Sequence, residues 1–123
     1  MNFRLKTSKF TAEKLKQLQS ATGLAPNVLA RIAVSMALKH PEPATGHVPD
    51  LNGLDFNRST LTGETDEILK AEIIQHYGQE ISEEEYFPNL FNSYLERGIR
   101  ILVNEYQHAG NYEKFIINLL LHQ

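Results

Sequence analysis

The chain opens on an alternation. Within residues 2–7, Phe3 and Leu5 fall on one side and Arg4 and Lys6 on the other, the period of two that makes a short strand with one apolar and one basic face. A lone strand leaves its backbone groups without partners. No second convincing strand follows, so the pattern predicts a two-stranded ribbon completed by the same strand of another subunit. From about Thr11 to Thr22 the period lengthens to that of a helix, with Ala12, Leu15 and Leu18 inward, Ser8 or Thr11 placed to cap it and Gly23 to end it. A second helix begins at Pro26, a favoured first-turn residue, and runs to about Lys39, where His40-Pro41 stops it. It is apolar nearly all round, with Arg31, Ser35 and Lys39 as its one polar stripe. Such a helix needs cover on most sides. That argues for subunits packed around it, the alternative being cover from the second half of the chain.

Residues 41–64 read as an ordered loop. Pro41, Pro43, Gly46, Pro49, Gly53 and Gly63 punctuate it, while Leu51, Leu54, Phe56 and Leu61 are spaced as anchors onto the body. Thr65-Asp66-Glu67 opens a third helix with acids in its first turn, Ile68, Leu69, Ile73 and Tyr77 on its inner face and Gly78 at its end. Ser82 and Glu85 have capping-box spacing, but Pro88 interrupts a continuous helix there, so the fourth helix is expected from Pro88 to near His108 with Phe91, Leu95, Gly98 and Leu102 inward. Gly98 costs about 1 kcal/mol relative to alanine in a helix unless close packing uses the missing side chain. Gly110 ends that helix, and a last one is expected over Tyr112–Gln123. The fold class is therefore mainly α: a short N-terminal strand and about five helices in one domain, 1–123, made of a basic strand-helix-helix unit (1–40), an ordered loop (41–64) and an acidic helical part (65–123).

Charge sharpens that division. Residues 1–40 carry Arg4, Lys6, Lys9, Lys14, Lys16, Arg31 and Lys39 against the single acid Glu13, a balance of +6, whereas residues 41–123 carry the other 5 bases against 14 acids, a balance of −9. Such asymmetry suits a basic surface for a polyanion and a different task for the acidic part. Arg4 and Lys6 would face a groove, where arginine reads guanine in bidentate fashion; Lys9, Lys14 and Lys16, with Arg31 and Lys39, would contact phosphates, giving affinity and salt dependence rather than sequence choice. The strand followed by two helices has the order of a ribbon-helix-helix DNA-binding unit.

Catalysis is hard to place. The absence of cysteine removes disulfides, thiolate nucleophiles and Cys-based metal sites. His40, His47, His76, His108 and His122 have no metalloprotease spacing, and no phosphate loop or nucleophile elbow occurs. No metal, cofactor or intrinsic enzyme activity is expected. The N-terminal residues lack a signal-peptide core and no run is long enough to span a bilayer, which points to a cytoplasmic protein without a membrane. The most distinctive segment is Gly53–Glu64: Asn57 and Thr60 favour local backbone bonds, and Arg58 carries a planar fork for a carboxylate or a phosphate. Pairing with an acid such as Glu64 would lock the loop.

Four pieces carry a family resemblance: Phe3-Arg4-Leu5-Lys6-Thr7-Ser8, Thr22-Gly23-Leu24, the run Phe56-Asn57-Arg58-Ser59-Thr60-Leu61-Thr62-Gly63-Glu64, and Leu95-Glu96-Arg97-Gly98-Ile99. Together they resemble the DndE family, the small subunit of the bacterial DNA phosphorothioation (sulfur modification) system. The resemblance implies a helical, ribbon-helix-helix-like fold, a homotetramer, and binding to double-stranded DNA, with nicked duplex favoured, among the other sulfur-modification proteins that perform the chemistry. It transfers no catalytic residue, and the last helix contributes nothing to it. The expected function is a DNA-binding accessory subunit. A ribbon-helix-helix transcription regulator or antitoxin and a protein-interaction scaffold without DNA contact are the rivals.

Overall fold

A computed structural model describes residues 3–46, 48–110 and 114–117. Strand β1 (Arg4–Lys6) leads into α1 (Lys9–Thr22) and α2 (Pro26–Leu38); β2 (Asp55–Asn57) and the single turn α3 (Arg58–Leu61) follow, then α4 (Asp66–Tyr77) and α5 (Phe91–Ala109). The mainly helical class with a short N-terminal strand is as expected. Gly23, Gly78 and Gly110 close α1, α4 and α5 in left-handed conformation. The helix expected over Tyr112–Gln123 lies outside the described residues except for a helical turn at 114–117, where Phe115 is fully buried.

The partner of β1 differs from expectation. It pairs antiparallel with β2 of its own chain, with Leu5 opposite Phe56, Arg4 opposite Asn57 and Lys6 opposite Asp55. The ladder continues through Thr7 N to Leu54 O (2.9 Å), Gly53 N to Thr7 O (2.9 Å) and Arg58 N to Phe3 O (2.7 Å). The backbone groups that called for another subunit are satisfied inside one chain. Gly53 makes this possible, since a Cβ there would fall 2.2 Å from Ser8 O and Thr7 Oγ1. The segment 41–64 is thus partly structured. Phe56 and Leu61 are buried, as anchors should be, but Leu51 is exposed.

The cover of α2 also comes from within. Leu29, Ala30, Ala33, Val34 and Ala37 are fully buried, chiefly against α5, with α1, α3 and α4 around the rest. The apolar character of α2 therefore supplies no argument for subunit packing. The closest approach is at Gly98 of α5, where a Cβ would lie 1.9 Å from Ala33 O; the missing side chain is what lets the two backbones meet. On α4, Leu69 and Ile73 point inward but Ile68 is exposed, because the helix is only half covered. His76 holds it to the body: Nε2 donates to His40 O at 2.5 Å and Nδ1 accepts from the Tyr94 hydroxyl at 2.6 Å. Before α5, Ser82 Oγ accepts from Glu85 N at 3.2 Å. The chain then kinks at Phe87, the non-helical residue inside Glu85–Leu90, which is joined to Pro88 by a cis bond, and helical backbone resumes at Pro88 and runs on into α5, as the sequence predicts. No single helix among the described residues is long and apolar enough to cross a membrane.

Gly98→Ala should therefore be far costlier than a helix-interior Gly→Ala ordinarily is. We expect a loss of about 2 kcal/mol or more from overpacking, read as a lowered urea midpoint with unchanged slope. Stability equal to or above the parent would show that α2 and α5 are not held at backbone contact.

Candidate nucleic-acid interface

The β1–α1 unit is fixed from behind, which leaves its outer side for charge. Ser8 caps α1, its Oγ accepting from Thr11 N at 3.1 Å. The buried Glu96 of α5 then takes both hydroxyls on Oε2, from Ser8 at 2.6 Å and Thr11 at 2.7 Å. Asp50 adds a second anion: its Oδ1 accepts from Lys9 N at 2.8 Å and Asn52 N at 3.0 Å. The bond from Asn52 N–H, then that from Lys9 N–H, hold its carboxyl below the usual carboxylate range. Two carboxylates at a helix N-terminus match its partial positive charge.

On that frame Lys6 projects from the exposed side of β1, and Lys9 and Lys16 are exposed on α1. Lys14 is half-buried, with Nζ 5.6 Å from the Phe10 ring centroid and a bond to Gln17 Oε1 at 3.4 Å. Glu13, one turn from both Lys9 and Lys16, is the one acid on this helix.

The other cations expected in the same patch are placed differently. Arg4 is exposed but lies against Asp55, Nε to Oδ1 at 3.1 Å. Arg31 turns inward along α2, its Nε donating to Leu61 O at 2.9 Å and its Nη2 to Thr60 O at 3.5 Å, so it caps the short α3. Lys39 is exposed at the C-terminal end of α2, opposite the junction with α1. The expected cluster of seven thus resolves into Arg4, Lys6, Lys9, Lys14 and Lys16 on one unit, with Arg4 paired to Asp55, and Arg31 and Lys39 placed elsewhere on α2 and at its end. Sequence reasoning missed Arg100, which packs on Phe10 at 4.2 Å from the ring centroid and reaches Glu96 Oε1 at 3.2 Å. The i,i+4 spacing of Glu96 and Arg100 was a readable signal; the contact with α1 was not.

Arg58 is a locking residue. Asn57 caps α3 through a bond from Ser59 N at 2.9 Å. This turns Arg58 inward, where it grips Asp66 in bidentate fashion (Nε to Oδ1 2.9 Å, Nη2 to Oδ2 3.0 Å) and also binds Glu83. Glu83 is bound by Lys70 as well. The guanidinium lies 4.6 Å from the centroid of the buried Phe87 ring. The expected acid, Glu64, takes no part in this lock; Asp66 and Glu83 do. The Arg58 bonds hold the Asp66 carboxyl below its ordinary value, and bonds from Lys70 first and then Arg58 do the same for Glu83. A cavity of about 720 Å³ opens beside this network, lined among others by Phe3, Ser59, Lys70 and Glu83, but its cations are already engaged by carboxylates. Among the described residues no group of three or more histidine or acidic side chains is placed to hold a metal.

The family described as DNA sulphur modification protein DndE matches residues 4–120. Among solved structures, DndE from Escherichia coli B7A, involved in DNA phosphorothioation modification, is 26% identical with a TM-score of 0.67, covering 83% of this chain and 96% of its own. A mutant DndE involved in DNA phosphorothioation is 24% identical with a TM-score of 0.66, covering 85% and 99%, and supports the fold. No curated protein matches the chain significantly.

The lock around Arg58 has a testable pH signature. Asp66 and Glu83 have folded-state values below their unfolded ones. Their stabilisation is complete above the unfolded carboxylate range and is lost as pH falls through the folded values. Arg58→Ala should cost about 2–4 kcal/mol, since it strands Asp66 and leaves Glu83 with Lys70 alone, and should flatten the acid limb of a stability–pH curve. An acid limb identical to the parent's would show that the network contributes nothing.

Proposed function

The chain belongs to the DndE family of DNA sulphur modification proteins, and from that premise we propose that it is a non-catalytic, DNA-binding accessory subunit of the phosphorothioation machinery. The observation that carries the reading is the exposed cations Lys6, Lys9 and Lys16, with Lys14 on the other flank of α1, on a β1–α1 unit whose own acid is Glu13 alone. Exposed cations on a rigid element meet phosphates without needing the fold to reorganise, and they give affinity that tracks backbone charge rather than base sequence. The groove-reading alternative loses support from Arg4, which is turned to Asp55, and from β1, whose partner strand is in the same chain. Sulfur transfer and ATP hydrolysis fall to partner proteins on this reading.

The working form is a homotetramer in the cytoplasm, in keeping with the family resemblance. What favours assembly is not α2 but the apolar side chains left outside, Phe3, Leu51 and Ile68 among them. A multimer repeats the β1–α1 patch and lets weak phosphate contacts add through avidity. Nicked duplex is the proposed preferred ligand.

Gel-shift titration with intact, nicked and single-stranded DNA over a salt series tests this. Wild type should bind duplex with a steep salt dependence. Lys9→Glu/Lys14→Glu/Lys16→Glu should bind at least about a hundredfold more weakly near 0.1 M salt with a shallower slope. Equal affinity of wild type and variant would refute the assigned surface, and no binding by wild type at low salt would leave the scaffold reading in its place.

A further inference from the structure

One aromatic side chain gathers cations from two helices that are distant in sequence. Phe10, half-buried on α1, carries the Arg100 guanidinium of α5 at 4.2 Å from its ring centroid and Lys14 Nζ at 5.6 Å. We propose that Arg100 and Lys14, set around Phe10, form a clamp for a DNA backbone phosphate at the seam between α1 and α5. The clamp rests on the DNA-binding reading above and extends that surface onto α5.

Arg100 is held at two points and still accessible. The ring supports one face of the guanidinium and Glu96 Oε1 takes one Nη2 hydrogen at 3.2 Å, yet the side chain is 55% exposed. A guanidinium has five N–H donors in a rigid plane, and two parallel ones match two oxygens of a phosphate. A side chain already fixed in orientation loses little rotamer freedom when it binds. Lys14, a compact charge on a flexible stem, can close on the same anion from the α1 side. The neighbouring carboxylate divides its charge between Arg100 and two hydroxyl donors. Glu96 is buried, and its other oxygen is engaged by the Ser8 and Thr11 hydroxyls at the positive end of α1. A surface arginine paired with an exposed acid, as Arg4 is with Asp55, lacks both features.

Fluorescence anisotropy with a labelled duplex over a salt series provides the test. Arg100→Gln should lower affinity about tenfold at fixed salt and make the slope of log K against log salt shallower by about one per engaged subunit. Phe10→Leu keeps every charge and removes the platform, so it should weaken binding severalfold with an unchanged slope. Arg100→Lys should fall between wild type and Arg100→Gln, because the charge stays and the fork is lost. Thermal melts accompany each variant; if Arg100→Gln fails to fold, Phe10→Leu and Arg100→Lys decide, and wild-type affinity in both overturns the clamp. Lys9→Glu/Lys16→Glu separates the two levels of the argument. If that variant loses binding while Arg100→Gln binds as wild type, the clamp is wrong and the β1–α1 interface stands. If neither variant changes affinity, the interface fails and the clamp with it.

Discussion

The contact of α5 with α2 at backbone distance governs the rest of the molecule. With no side chain on Gly98, the two helices meet over Ala33, and Ala30 and Ala37 keep the stripe small on either side. The residues before Gly98 are then in reach of two helix ends at once. Glu96 meets the first turn of α1 through Ser8 and Thr11, and Arg97 Nη2 donates to Ala37 O at 3.0 Å in the last turn of α2. Orphan groups at helix ends are costly when buried, and here one segment of α5 serves both ends, Arg97 directly at an α2 carbonyl and Glu96 through the hydroxyl of Ser8 that caps α1. A shift of α5 by the width of a methyl group would break both caps, so the position of α1, and with it the direction its lysines face, follows from a glycine on another helix.

The strap between α2 and α4 closes the other side by the same logic of shared partners. Gly53 lets the backbone run against Thr7 and Ser8, β2 completes β1, and Arg31 holds the carbonyls of α3. Arg58 then ties this strap to both α4 and the segment before α5 through Asp66 and Glu83. A buried guanidinium with fewer acids would cost more in desolvation than it returned. Two carboxylates and an aromatic face at Phe87 compensate it, and Lys70 shares the charge of Glu83.

Local chemistry was legible and pair choice was not. Ser8, Gly23, Pro26, Gly78 and Gly110 each mark a helix end through their own conformational preference, and the structure uses them so. The packing role of Gly98 also followed from its cost in a helix. By contrast β2, as short as β1, sits inside a segment punctuated by glycines and proline and runs straight into a helical turn, so it read as part of a loop. Its partner could be identified only in three dimensions. The acids of Arg58 lie eight and twenty-five positions away, a choice made by the meeting of helices and not by spacing. Ile68 fits the inner-face pattern of α4 and is exposed because nothing in the described chain covers that side. The surface lysines were readable as charge, but which cations the fold would consume was not.

That consumption follows the chemistry of the two basic side chains. Arg31, Arg58 and Arg97 all donate to carbonyls or carboxylates inside the fold; a planar fork with five donors suits fixed acceptors, and it is less strongly hydrated than an ammonium. Lys6, Lys9 and Lys16 stay outside. Lys9 is the telling one, because a cation in the first turn opposes the helix dipole by about 0.3–1 kcal/mol, and α1 has no acid in that turn. The anions its N-terminus wants arrive from elsewhere, as Asp50 in the strap and Glu96 on α5. Had stability alone been at stake, an acid at position 9 would have met the same need locally. A helix that takes its stabilising anions from other elements while keeping lysines on its outer side departs from local preference in the way expected of a working surface.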